Sequence, residues 1–160
     1  MQTKVVQELR NGLDANARKD LTMRLGAILD DVYSLMIRTH VYHWNVEGPL
    51  FEPLHRLTEA QYTTLFAAVD DIAERVRALD AKPAVKSNGF PTGVSNLPDR
   101  QAAEAMIADL VEHHEAAVRR MREVVAVAEQ ATDVVTADLL TGLMAQHEKD
   151  VWMLRATLQR

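Results

Sequence analysis

Five side chains able to hold a metal ion fall within one stretch of this 160-residue chain: His43, His55, Glu59, Asp70 and Glu74. Imidazole and carboxylate together suit a hard or borderline ion such as iron. The chain has no cysteine, so there is neither a thiolate metal site nor a disulfide framework. Spacing adds a geometric demand. His55, Glu59, Tyr62, Phe66, Asp70 and Glu74 follow at steps of 4, 3, 4, 4 and 4, which lays them along one side of a helix. His55 and Asp70 then stand ~22 Å apart at 1.5 Å per residue, whereas metal–ligand bonds are only ~2.0–2.2 Å. One straight helix cannot bring both pairs to one ion.

A two-fold axis removes the difficulty. If two copies of this helix cross antiparallel near residues 64–65, His55 faces Glu74 of the partner subunit and Glu59 faces Asp70 of the partner subunit. Two equivalent sites result, and His43, 12 residues before His55, reaches the same end through a short turn. Tyr62, Leu65, Phe66 and Val69 give the middle of the stripe the apolar character of an interface rather than of a solvated face. Taken singly, each of the five reads as an ordinary surface or core residue. As a set obeying one symmetry rule they point to a metal site shared between subunits.

The elements that must position these groups are marked out by proline. All five prolines lie in two clusters, Pro49 and Pro53, then Pro83, Pro91 and Pro98, and proline is excluded from helix interiors. A first helix is predicted over about 14–44, with Leu21, Leu25, Ile28, Val32, Leu35, Met36 and Thr39 at helical spacing and Asp14 as its N-cap. A second follows over about 51–81, with Pro53 tolerated in its first turn. A third spans about 100–129 and a fourth about 132–158, divided by a tight break near Thr132 and Asp133. Short turns make the first and second helices antiparallel neighbours, and likewise the third and fourth. The connection at residues 82–99 could extend ~60 Å, enough to travel back along a ~45 Å helix. The expected fold is all-α: a single domain over residues 1–160 built as a ferritin-like four-helix bundle with one long crossover between the second and third helices. An up-and-down bundle with a loose third loop satisfies the same pattern.

Composition bounds the rest. Apolar residues make up 48% of the chain and charged residues 26%, as in a soluble helical domain. No apolar run approaches the ~18–20 residues needed to span a bilayer, and MQTKVVQELR lacks the core of a signal peptide, so a cytoplasmic location is expected. A net charge of −5 argues against broad electrostatic binding of DNA. Lys4, Arg10, Arg18, Lys19 and Arg24 outnumber Glu8, Asp14 and Asp20 in the first 24 residues, which makes a weak basic arm at best, and LRATLQR ends the chain without a basic tail.

The string HWNVEGPLFEPLH followed by DDIAER strongly resembles the Dps family (DNA-binding proteins from starved cells), the small branch of the ferritin superfamily. The likeness extends to RTHVYHW and to TADLLTGLMAQHEKDVWML, and the pattern H–x11–H–x14–D–x3–E is the family's ferroxidase signature. Carried over position by position, His43 and His55 match the two histidine ligands, and Glu59 matches an acidic ligand of the same subunit that is often Asp. Asp70 and Glu74 match the acids supplied by the two-fold partner. The resemblance implies a homo-oligomer, a hollow dodecamer built from two-fold dimers, that oxidises Fe(II) with hydrogen peroxide or oxygen at two-iron sites between subunits and stores Fe(III) mineral inside. Trp44, beside a ligand, is a candidate electron donor, and Asp133 and Asp138 lie where the family has acidic three-fold pores. Many members bind DNA through a lysine-rich tail; this chain shows none, so weak or absent DNA binding is expected. The alternative is a DNA-binding, nucleoid-protecting stress protein with minor iron chemistry. Glu52-x-x-His55 has the E-x-x-H spacing of intrasubunit di-iron sites, but only one such motif is present. His40 is a candidate supporting group for the ligands, His113 and His114 are expected at the surface, and His147 has no assigned role.

Overall fold

The chain is seen in a computed structural model that describes residues 9–83, 97 and 102–158. Four α-helices carry these residues: α1 (Ala15–Asn45), α2 (Phe51–Ala78), α3 (Ala103–Gln130) and α4 (Val134–Thr157). No strand occurs among the described residues. The Asp14 side chain caps α1, accepting from the amides of Asn16 at 2.8 Å and Ala17 at 3.1 Å, as its position in the sequence predicts. Gly48, at φ +83°, makes the sharp turn out of α1 that few other residues would accept. Pro53 sits in the first turn of α2, where its missing N–H leaves no helical bond unmade. α2 stops three residues before its expected end, because Leu79 caps it and Asp80 turns to φ 66°. α3 begins at Ala103 rather than near 100.

Ion pairs and hydrogen bonds between helices give their directions. Arg38 meets Asp109 at 2.8 Å and Asp31 meets Arg120 at 2.5 Å, so α1 and α3 are antiparallel. His43 and His55 lie side by side across the short turn, so α1 and α2 are antiparallel as well. It follows that α2 and α3 run parallel, and the residues between them must return the length of the bundle, ~40 Å for a 28-residue helix. This is the crossover connection of the ferritin-like arrangement, and it excludes the up-and-down alternative. Most of the connection itself, the stretch 82–99, lies outside the described residues.

The core is filled by one stripe per helix. On α2 the stripe is Leu54, Thr58, Gln61, Leu65, Ala68, Ile72 and Val76. Leu65, expected on the interface side, therefore faces inward at 3% exposure. His114, expected at the surface, is also inside at 0% exposure. It occupies a position of the α3 stripe Met106, Leu110, His114, Ala117, Met121, Val124. His113 is half-buried beside it, its ring bonded to the Asp109 carbonyl at 2.8 Å.

Asp133 joins two helices at the far end of the bundle. Its carboxylate accepts from the Thr136 amide at 3.0 Å, from Thr136 Oγ1 at 2.6 Å and from Arg75 Nη2 at 2.7 Å. Burial alone would raise this carboxyl, but the bonds from Thr136 and Arg75 outweigh it and leave its pKa lowered. Removing one member of a buried pair strands the other charge. We expect Asp133→Ala to destabilise the protein by about 3 kcal/mol, a fall of roughly 6–12 °C in Tm at fixed protein concentration. A shift under about 2 °C in calorimetry would show that the Arg75 pair carries little of the α2–α4 contact.

Candidate metal centre

His43 lies in the last turn of α1 and His55 in the second turn of α2, and the turn between them brings their rings into a stack 3.8 Å apart at 18°. Each ring also grips the other's backbone. His43 Nδ1 lies 2.8 Å from the His55 carbonyl, and His55 Nδ1 lies 2.8 Å from the His43 carbonyl. A carbonyl oxygen only accepts, so each Nδ1 donates, and in the neutral tautomer this selects the lone pair sits on Nε2. This is the tautomer a metal ligand needs, held by the kind of carbonyl partner that ligating histidines use.

Other rings continue the stack. Phe51 lies 5.1 Å from His55 on one side. Tyr62 meets His43 edge-on at 5.3 Å, His40 stacks on Tyr62 at 4.2 Å, and Trp44 packs on His40 at 4.1 Å. Burial, then the neighbouring His43, lowers the pKa of His40. His40 thus reaches the ligands through Tyr62 and packs Trp44 in place. Trp44 itself is 63% exposed.

Glu59, one turn beyond His55, is exposed, as are Asp70 and Glu74 farther along α2. Between the two groups Phe66 is 66% exposed, flanked by half-buried Tyr62 and Val69. Among the described residues no three His, Asp or Glu side chains converge on a point that could hold a metal ion. Within one chain the structure brings His43 and His55 together and leaves Asp70 and Glu74 apart from them. Glu52 is engaged on the surface with Arg56, 2.9 Å away.

Comparison with known proteins decides the family. Residues 23–160 match the ferritin-like domain family. A starvation protein of Bacillus anthracis, DNA protection during starvation protein 2, is 32% identical over 129 residues, covering 79% of this chain and 88% of its own. The chain belongs to the Dps family.

Other proteins resemble the chain over most of its length. A low temperature-induced protein of Nostoc is 40% identical over 152 residues, 92% of this chain and 85% of that one. The Dps protein of Vibrio cholerae superposes with a TM-score of 0.86 at 28% identity, over 99% of this chain and all of that one. DpsC of Streptomyces coelicolor superposes at 0.89 with 24% identity, a likeness of fold.

The two acids expected at a Dps pore differ in their surroundings. Asp138 is exposed on the second turn of α4, whereas Asp133, at 3% exposure, is occupied by its cap and by Arg75. Sequence reasoning also missed the reciprocal clamp of the two histidines and the pairing of His114 with His147. For His114 the signal was available, since it continues the i, i+3, i+4 rhythm of Leu110 and Ala117.

Proposed function

We propose that this chain oxidises Fe(II) at sites completed by a two-fold partner and stores the ferric product inside a twelve-subunit shell. The observation that carries this reading is the reciprocal histidine clamp, which leaves two Nε2 lone pairs available while the acids that would complete a site stand farther along the same stripe. His43, His55 and Glu59 would come from one subunit, and Asp70 and Glu74 of the partner subunit would close the site over two iron ions. The exposed Phe66 between them is the apolar centre such a crossing would bury. The Vibrio cholerae protein is described as a ferritin-like diiron-carboxylate protein, and the donor set here suits the same metal. Neutral imidazole accepts ferrous iron, and carboxylate favours the ferric product.

Hydrogen peroxide is the oxidant we favour, with oxygen as the second choice. Two ferrous ions give one electron each; peroxide takes both with two protons and leaves as two waters, so no hydroxyl radical is released. Trp44 stands ready as a further electron donor where only one ferrous ion is present, and Asp138 as a pore acid that draws cations inward. The test is anaerobic loading with Fe(II) followed by peroxide. Ferric absorbance and co-elution of iron with the protein shell are expected; iron that elutes apart from the protein would overturn the reading.

No helix among the described residues is long and apolar enough to cross a membrane, and we place the protein in the cytoplasm. The names of several relatives speak of DNA protection. A net charge of −5 opposes a sequence-independent grip on phosphate. The weak basic arm falls partly outside the described residues. At physiological salt a gel-shift should show no retarded DNA at protein concentrations up to about 10 μM, where the tighter non-specific binders already retard it. Retardation well below that concentration would favour the nucleoid-protecting alternative.

A further inference from the structure

One polar cluster in the bundle has no part in the metal centre. His114 of α3 and His147 of α4 meet Nδ1 to Nδ1 at 2.9 Å, with 0% and 1% exposure. Two such nitrogens approach this closely with a proton between them, so one ring donates and the other accepts. Neither Nε2 has a partner, and neither does Oε1 of Gln61 nor Oδ2 of Asp150, both buried as well. Contacts between helices set these groups near one level, for Gln61 of α2 reaches the Asp150 carbonyl of α4 three residues beyond His147. No three potential ligands converge here among the described residues. The chemistry left to the pair is uptake of a proton.

Little around the pair would welcome an added charge. α3 contributes His113 beside it, and α4 contributes Asp150, bonded at 3.1 Å by Gln146, with Glu148 and Lys149 turned outward. α2 brings Gln61, and Asp71 at the mouth of a ~180 Å³ cleft that His147 also lines. α1 places Asp31 and Arg38 to either side of this level, each in an ion pair with α3.

We propose that the His114–His147 pair is an acid-operated latch on the α3–α4 seam, closed while both rings are neutral and opened when the Nδ1 that accepts is itself protonated and leaves two N–H groups facing each other. Burial, then the charges of His147 and His113, hold His114 well below the ordinary histidine range, and burial holds His147 down at about 4. Unfolded histidines take up protons near ~6.5, whereas folded His147 does not until about 4 and folded His114 is held well below the ordinary range. The stability the pair contributes is therefore complete above ~6.5 and is lost as pH falls from there toward the folded values. Through that window the unfolding constant rises ~10-fold per pH unit for each histidine and ~100-fold for the two. Asp150 acts in the opposite sense. Its carboxyl is raised by burial, so its protonation favours the folded state on the acid side.

Hydrogen exchange on the intact protein between about pH 7.5 and about pH 5 tests the latch, read after correction for intrinsic exchange. Amides at 110–118 and 143–151 should lose at least ~10-fold more protection than those at 25–43. Nitrogen-15 spectra of the rings should show one Nδ1–H facing one unprotonated Nδ1 at neutral pH. Uniform loss of protection, or either ring titrating near ~6.5, would overturn the proposal. The double variant His114→Leu/His147→Phe should flatten the acid dependence of the seam, and Asp150→Asn should leave it in place. If the double variant does not fold, the wild-type exchange and ring spectra decide alone.

Discussion

Replacing His43 and His55 together with alanine should slow peroxide-driven oxidation of Fe(II) by at least ~100-fold, since even the groups that merely orient a metal ligand are worth 10–100-fold. Both Nε2 donors disappear in the variant, and so do the two bonds that tie each ring to the opposite carbonyl. Glu59 remains, but an exposed carboxylate with no imidazole beside it offers only a weak surface contact for iron. Circular dichroism should report the same helical content, because the helices are held by the stripes of the core and not by the ring stack. Mixing gives a sharper reading of the same idea. A chain lacking both histidines and a chain lacking Asp70 and Glu74 should each be inactive. Dissociated and reassembled in equal amounts, they should recover about one quarter of the wild-type sites, since half the dimers are mixed and each mixed dimer holds one intact site. No recovery on mixing, with reassembly verified, would mean that each site belongs to a single chain.

Phe66→Glu should break the proposed two-fold contact. Phe66 is 66% exposed in the isolated subunit, midway between His55 and Glu74 on the same side of α2. In an antiparallel crossing near residues 64–65 the two copies of this side chain would lie close together. The substitution removes two buried phenyl rings, each contributing about 1.5–3 kcal/mol, and sets two like charges near the axis. A loss of at least ~3 kcal/mol raises the dissociation constant by over 100-fold. Sedimentation velocity should show smaller species, and oxidation should fall in parallel because each half-site loses its acids. An intact assembly would count against the crossing, whatever happened to the activity.

The helices were legible because their signals are local. Proline clusters mark the breaks, Asp14 caps where it was expected, and the apolar rhythm of α1 reads off the sequence directly. That the candidate ligands His55, Glu59, Asp70 and Glu74 share one helix was legible for the same reason, since spacing along one helix is a one-dimensional fact. What escaped notice depends on residues far apart in sequence. His114 looked like a surface residue because its partner His147 lies 33 positions later. The partner of Asp133 was hidden likewise, because the arginine that engages it lies 58 positions earlier. Leu65 was misplaced by a subtler effect. The ligand stripe and the core stripe lie side by side on α2, so one step of three instead of four moves a residue from one to the other.

The mutual grip of His43 and His55 also bears on how binding relates to folding. In many small metal proteins the ligands are disordered until the ion arrives, and the ion's affinity is reduced by the entropy of ordering them. Here two rings are immobilised beforehand by each other's main chain, in a protein without a single cysteine to fasten the turn. The histidine pair is preorganised, so in the proposed site iron would meet rings whose rotamers are already fixed. Metal could then enter and leave such a site through many cycles without the subunit relaxing or refolding each time.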